Sequence, residues 1–454
     1  MTCMSAKTVI FVSIPGLRRR DLAHMPRLQK LAAGGSSCDL IPSFPCVTSP
    51  VQASLLTGTT PDKHGIIGNG FYHRERGEVE MWVGRNVLVQ GKQIWDVLKN
   101  RGITSAAWMT QNIKDAAADY IVTPEPIHHP DGRMDLWCYS TPDGLYKELL
   151  NDLGHFPLMN YWGPMTNIKS TEWIINAALW LIQRKRPQFN HVYVPHLDYA
   201  AQKFGPNAQQ QIQACGEADQ QLGRLFDGVS ALGVDATHLV VGEYAMTDVS
   251  RVIYPNRILR DAGMLQIDLE TRPFAPPPGP PRPPPPPGPH EYLNVKKSKA
   301  LAVVDHQFAH VYVQDKTDID GVAGMFEGVP GIAHAYYGDD RKQVNLSHQR
   351  SGEVVLVCEP DTWLAYYWWN DDAKAPPFAR TVDIHSKPGY DPVEMFIDPP
   401  TMSIPLNAKL IKGSHGAPAK SPDQYGACVS STRDLPSGSI KDTDIFQLIT
   451  RQFS

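Results

Sequence analysis

The chain of 454 residues predicts an α/β protein: a doubly wound, mainly parallel sheet flanked by helices, with a smaller inserted α+β subdomain. Three observations carry that expectation. Thr8-Val-Ile-Phe-Val-Ser-Ile14 is a nearly continuous apolar run, the pattern of a strand buried on both faces of a parallel sheet. Strand-like and helix-like runs then alternate along the chain, as βαβ units require. The length exceeds what one compact core usually absorbs, so a second unit is expected, inserted or appended.

Taken in order, the first strand breaks at Pro15-Gly16. Asp21 to Ala33 follows as an amphipathic helix stopped by Gly34-Gly35. Phe71 to Val83 reads as a hairpin, Gln93 to Lys99 as a helix, and Thr104 to Met109 as the next strand. Ser170 to Arg184 has helical periodicity and feeds the strand His191–Val194, which would place His196 and Asp198 on one side if it runs on. Asn207 to Phe226 reads as a solvated outer helix carrying Glu217 and Asp219. Pro273 to Pro289 is almost entirely proline and glycine, and is expected to form a disordered surface loop. Beyond it, Lys299–Val304 and Gly352–Val357 read as strands, Gly321 to Tyr337 as helix then strand, and the aromatic run Trp363–Trp369 as a strand of the same subdomain. A helix from Asp442 to Phe453 closes the chain. The resulting division is residues 1–270 as the first part of the core and 271–292 as the proline-rich loop. Residues 293–454 hold the rest of the core, the subdomain and a C-terminal histidine segment.

Composition narrows the function classes. With 42% hydrophobic and 20% charged residues the chain has the make-up of a globular enzyme. A net charge of −4 gives no electrostatic reason to expect nucleic acid or an anionic membrane as partner. No apolar run is long enough to span a bilayer, and the first residues lead into a strand without secretory signal regions. The seven cysteines are scattered, odd in number and never arranged as CxxC. That pattern predicts free thiols in a cytoplasmic protein and no thiolate zinc site.

The chemistry concentrates in Pro45-Cys-Val-Thr48-Ser49-Pro50, a short helix ending at Thr57-Gly58, and then Pro61-Asp-Lys-His64-Gly65-Ile66-Ile-Gly-Asn69. Pro50 suits the first position of a helix, which puts Thr48 and Ser49 where free N–H groups and the helix dipole favour an anion. A hydroxyl there is able to attack phosphorus; an isolated Thr-Ser-Pro turn, however, more often merely caps a helix. The whole stretch resembles the nucleophile segment of the type I phosphodiesterase/nucleotide pyrophosphatase family, in the alkaline phosphatase superfamily. That family has Pro-x-x-Thr-x-Pro, a helix ending in Thr-Gly, then Pro-x-x-His-Gly-Ile-x-x-Asn. The resemblance implies that Thr48 is the covalent nucleophile and that the fold is alkaline phosphatase-like. Where the family has Asn-His after the second proline, this chain has Val51-Gln52.

Further segments extend the resemblance and its departures. Pro195-His-Leu-Asp198-Tyr-Ala-Ala201-Gln202-Lys-Phe-Gly205-Pro206 is similar to Pro-Asp-x-x-Gly-His-x-x-Gly-Pro, with Asp198 at a metal-ligand aspartate and Gln202 at a ligand histidine. Gly242-Glu243-Tyr244-Ala245-Met246 stands where the family has Ser-Asp-His-Gly-Met, so Glu243 and Tyr244 replace two ligands. Pro15 replaces a ligand aspartate, with Asp21 too far along to substitute, and His415 in Gly413-Ser-His415-Gly416 matches the last ligand histidine. Two zinc ions are implied by the family and cannot be built from these residues. The expected set is Asp198, Gln202, Glu243 and His415 around a divalent metal, one ion rather than two, with manganese or magnesium suiting it as well as zinc. Tyr244 and His306 are candidate substrate-binding residues, His196 a reserve ligand, and His310 structural. The implied function is hydrolysis of a phosphodiester, pyrophosphate or related ester of a small phosphorylated substrate. The alternative is a pseudoenzyme that binds a phosphorylated ligand or a protein without turnover.

Overall fold

The computed structural model describes residues 7–128, 134–274 and 286–454. In chain order the strands that matter below are β1 (Thr8–Ile14), β2 (Ser36–Ile41), β3 (Ser105–Trp108), β4 (Tyr120–Pro124), β5 (Cys138–Thr141), β6 (Phe189–Tyr193), β7 (Ala236–Gly242), β8 (Ile267–Glu270) and β9 (His290–Leu293). They continue with β10 (Ala300–Asp305), β11 (Phe308–Val313), β12 (Ile332–Tyr337), β13 (Val354–Cys358), β14 (Gly426–Ser430) and β15 (Ser439–Lys441). The helices are α1 (Pro26–Gly34), α2 (Thr48–Thr57), α3 (Ile94–Asn100), α4 (Leu145–Leu153), α5 (Lys169–Lys185), α6 (His196–Phe204), α7 (Gln209–Ala231), α8 (Ile319–Gly324) and α9 (Asp442–Arg451).

Among the described residues, nine strands form one sheet in the order β15-β2-β14-β7-β1-β6-β3-β4-β5. Neighbours around β1, β6, β7, β3 and β4 pair in parallel, while β14 and β5 run against them. The apolar run of β1 divides between two cores by the two-residue alternation of a strand. Ile10, Val12 and Ile14 face a core with α1, α4, α5 and α7, and Val9 and Phe11 face a second with α2, α3 and α9. Helices on both faces of a mainly parallel sheet make this the doubly wound arrangement expected from the sequence.

A four-stranded antiparallel sheet, β10-β11-β13-β12, forms the smaller unit. Its core takes in Val322 and Ala323 of α8 and the rings Trp363, Tyr366, Tyr367, Trp368 and Trp369. That aromatic run is a strand only over Thr362–Leu364; the rest is irregular chain whose rings fill the core. Strands β8 and β9 pair antiparallel on either side of the proline-rich stretch. Residues 275–285, the bulk of the expected loop, lie outside the described residues. Among the described residues no helix is long and apolar enough to cross a membrane.

Several local expectations need correction. The helix expected over Asp21–Ala33 is a 3₁₀ turn, Arg19–His24, followed by α1 from Pro26, because Pro26 has no N–H to give inside a continuous helix. His196 opens α6 instead of extending the preceding strand. Asp219 is buried, and its carboxylate accepts hydrogen bonds from the Arg27 and Leu28 N–H groups at the start of α1 (2.8 and 2.9 Å). Strands β2 and β14, which the sequence reading did not anticipate, carry one flank of the sheet.

Candidate active site

The site lies beyond the C-terminal ends of β1, β6 and β7, where open parallel sheets hold their ligands. The ends of β1 and β7 are tied together: the Glu243 N–H donates to Ile14 O and the Gly16 N–H to Tyr244 O, both 3.0 Å. Gly242 allows this approach, since a Cβ there would stand 2.0 Å from the Leu17 carbonyl oxygen. Glu243 and Tyr244 are thereby aimed at the start of α2.

Helix α2 begins at Thr48, with Pro50 third in the helix and not first. Pro50 still falls among the first residues, whose N–H groups lack partners inside a helix. The Ser49 N–H donates to Asn69 Oδ1 (3.0 Å), so it serves the scaffold and is not free for an anion. Asn69 in turn donates from its backbone N–H (2.7 Å) and its side-chain Nδ2 (3.1 Å) to Asp305 at the end of β10. The Thr48 hydroxyl hydrogen-bonds the Tyr244 hydroxyl at 2.9 Å, and both side chains are buried. The amide of Gln52, one helical turn on, donates to Glu243 Oε1 (2.8 Å), while its oxygen accepts from the Gln111 N–H (2.8 Å).

Asp198 and Gln202 are four apart on α6 and share one face; the Gln202 amide donates to Asp198 Oδ2 at 2.8 Å. Its carboxamide oxygen, a candidate metal donor from sequence, accepts from the Tyr390 hydroxyl at 2.9 Å. His415 is bonded through Nδ1 to the Cys46 carbonyl at 2.8 Å. A carbonyl only accepts, so Nδ1 carries the proton and Nε2 presents a bare lone pair. That Nε2 faces Asp198 Oδ1 across 3.8 Å, and neither atom has a hydrogen-bond partner among the described residues. His306 sits at φ +62° with Nδ1 2.7 Å from Asp305 Oδ1. Tyr244, His415, His306 and Tyr390 form a continuous column of rings with successive centroids 3.9, 3.8 and 3.6 Å apart.

Burial dominates the electrostatics. It pushes Asp198 up to about 7, against the pull of the Gln202 amide and the nearby Tyr244 hydroxyl. It pushes Glu243 up to about 8, opposed by Gln52 and Ser13 and reinforced by Asp198. Asp305 rises to about 6 for the same reason, with Asn69 opposing. His306 and His415 are held well below the usual histidine value, mainly by burial, and are neutral. The buried Lys387 is already engaged behind the column, 2.8 Å from Asp391 and 2.7 Å from Glu394.

The structure thus brings together Thr48, Asp198, Gln202, Glu243, Tyr244, His306 and His415. It takes His196 out of consideration: its Nε2 pairs with Glu217 on α7 at 2.7 Å. His310 is structural as expected, bridging Ile67 O and the Gly352 N–H. Among the described residues, no group of three or more His, Cys, Asp or Glu side chains converges as a metal cage. From sequence the polar stretch Asp383–Asp391 could reach a site but no motif places it there, and it is Tyr390 of that stretch that does so; the framing role of Asn69 was missed.

A model of the family described as "Type I phosphodiesterase / nucleotide pyrophosphatase" matches residues 9–391. The chain belongs to this family. Over 274 residues it is 24% identical to mouse ectonucleotide pyrophosphatase/phosphodiesterase family member 1, covering 58% of this chain and 27% of that protein. It is 25% identical over 232 residues to an uncharacterized pyrophosphatase/phosphodiesterase of Schizosaccharomyces pombe, covering 50% of this chain and 42% of the other. The matched segments thus span less than half the length of these relatives. Among solved structures, phosphonoacetate hydrolase from Sinorhizobium meliloti, in complex with phosphonoformate, superposes with a TM-score of 0.64 at 16% identity, covering 99% of this chain and 96% of the other. Murine ectonucleotide pyrophosphatase/phosphodiesterase 5 gives 0.62 at 14%, covering 98% and 95%, and an inactive form of it has been solved in complex with AMP. At these identities the likeness establishes the alkaline phosphatase-like fold.

Proposed function

We propose that this family member hydrolyses a phosphodiester, pyrophosphate or related ester of a small phosphorylated molecule, with Thr48 as nucleophile and one divalent cation held by Asp198 and His415. The observation that carries the proposal is the pair of bare acceptor atoms, Asp198 Oδ1 and His415 Nε2, buried and facing each other at 3.8 Å. Two lone pairs in that position call for a cation or a proton between them, since an unpaired buried polar atom is costly. The donor types fit zinc, manganese or magnesium. The Nδ1–H bond to the Cys46 carbonyl is the support that orients a metal-binding imidazole. A second ion does not fit: Pro15 offers no donor, the Tyr244 hydroxyl is engaged by Thr48, and the Gln202 oxygen is engaged by Tyr390. When bound, the ion supplies positive charge beside a phosphoryl oxygen.

The chain's own residues do the rest. Tyr244 holds the Thr48 oxygen at the mouth of α2, where the helix dipole favours an approaching anion. Asn69 fixes the helix start through Ser49, and Gln202 keeps the Asp198 carboxylate turned toward His415. Carboxyls that burial holds back from full ionisation and neutral imidazoles give a phosphate no positive charge to meet unless a cation is present. The complex of the murine relative with AMP supports a small phosphorylated substrate. The pseudoenzyme reading has one observation in its favour: the satisfied side chains of Tyr244 and Gln202 occupy two ligand positions.

Metal analysis of the purified protein, together with bis-p-nitrophenyl phosphate hydrolysis under added zinc, manganese or magnesium, tests the proposal. About one ion per chain is expected, with turnover abolished in Thr48→Ala and in His415→Ala, and with metal lost only in His415→Ala. Absence of both metal and turnover under every ion would replace the hydrolase with the binding protein.

A further inference from the structure

We infer that Cys38 and Cys428 are a paired thiol site that closes to a cross-strand disulfide when the protein meets a peroxide. The two residues are directly opposite each other on the antiparallel strands β2 and β14. Opposite residues of such a pair have Cα atoms about 4.5–5.5 Å apart, within the range of about 4.4–6.8 Å that a disulfide spans. Their side chains emerge on the same face, in the core shared with Val51 and Leu55 of α2.

The pair differs from the other described cysteines. Cys46, Cys138, Cys215 and Cys358 are all pushed up by burial, three of them to about 12 and Cys358 well above its ordinary value. Cys38 is lowered, first because the Cys428 thiol donates toward it and further by Arg19, against burial and Asp39. Cys428 is correspondingly raised. Cys38 lies on β2, the strand nearer the sheet edge, and Cys428 on the inner strand β14, so Cys38 is the sulfur that meets the oxidant and Cys428 the one that resolves it. Access comes from the sheet edge. Both side chains are fully buried and Ser36 is tied to Thr432 and Leu435; since β15 pairs with β2 only over Asp39–Ile41, peroxide reaches Cys38 when this end of β2 frays.

The chemistry balances with peroxide as the oxidant. The Cys38 thiolate attacks one peroxide oxygen, the O–O bond breaks, and hydroxide leaves and takes up a proton as water. The Cys428 sulfur then attacks the resulting Cys38 sulfenic acid, the S–O bond breaks, and a second water departs. Two thiols are oxidised, one peroxide is reduced, and an S–S bond forms. None of this depends on the hydrolase reading.

The test uses the full folded chain, exposed to hydrogen peroxide, quenched with catalase, denatured and titrated with Ellman's reagent. The expected result is loss of two of the seven thiols, a Cys38–Cys428 linked peptide in the digest, and faster migration on a non-reducing gel that dithiothreitol reverses. The Cys38→Ala chain should begin with one thiol fewer and keep its count after the same treatment, and Cys428→Ser provides the same control should Cys38→Ala fold poorly. Retention of all seven thiols, a sulfinic acid at Cys38, or linkage to another cysteine would each overturn the inference.

Discussion

Gln202 shows how one residue changes the meaning of a motif. At a position where the resemblance implies an imidazole, a carboxamide gives a donor and an acceptor at once, and the fold uses both, toward Asp198 and Tyr390. The residue has become a clamp. Gln202→Leu removes both bonds without removing much volume, and an unsatisfied buried group costs about 1–3 kcal/mol. Urea denaturation should therefore show a loss of at least that size; a loss below about 0.5 kcal/mol would mean that Asp198 and Tyr390 find other partners. The site itself was legible only in part. Thr48, Asp198 and His415 stand in local patterns whose spacing survives in this chain. Tyr390 stands in none, and its partner is 188 residues away in sequence. The engagement of the Gln202 oxygen depends on that distant contact, which no local pattern encodes, whereas the Ser49 N–H is taken by Asn69 from the same local stretch.

At the scale of elements, α2 is the framed one. Val51 and Leu55 pack it into the core with Ile445 and Ile449 of α9. Asp442, at the start of α9, accepts from the Ser43 N–H and hydroxyl (2.6 and 2.8 Å) in the approach to α2. The helix stops at Gly58 in the left-handed region, φ +67°, with room for a Cβ only 3.1 Å from Phe446 Cβ. Gly58→Ala should therefore cost about 1–2 kcal/mol from backbone strain alone, measurable as a lowered denaturation midpoint, with the crowding of Phe446 adding to it. The presence of α2, its glycine stop and β1 could be read from the sequence because each is marked by its own residues, while the first residue of α2 falls at Thr48, two before the proline that suggested it. Strand β14 could not: Gly426-Ala-Cys-Val-Ser430 is short and small in side chain, and only its two neighbours in space make it a strand.

For the molecule as a whole, the buried histidines set the response to acid. His64 accepts at Nδ1 from the Ile66 N–H and donates from Nε2 to the Ser54 hydroxyl of α2, both 3.1 Å. Burial takes it down to about 3, with His348 and Arg350 adding and Asp62 opposing. The unfolded chain protonates this ring near pH 6.5, whereas the folded chain refuses the proton until about pH 3. Its contribution to stability is therefore full above the unfolded value and is lost as pH falls through that window. In His64→Gln the slope of unfolding free energy against pH between 6.5 and 3 should flatten by one proton, about 1.4 kcal/mol per unit. An unchanged slope would place the proton uptake elsewhere.

The position of β14 has a consequence in time. Among the described residues it is the only bridge between β2 and the strands from β7 onward, and it lies nearly 400 positions along the sequence from β2. During synthesis, β1, β6, β7, β3 and β4 can associate as soon as β7 has emerged. Strand β2 must wait until Gly426–Ser430 leaves the ribosome, and α2 with Thr48 follows directly from β2. Such a late, long-range pairing is slow to form and exposes an unpaired edge meanwhile. The nascent chain therefore carries Thr48, until Gly426–Ser430 has emerged, without the flank that will hold it.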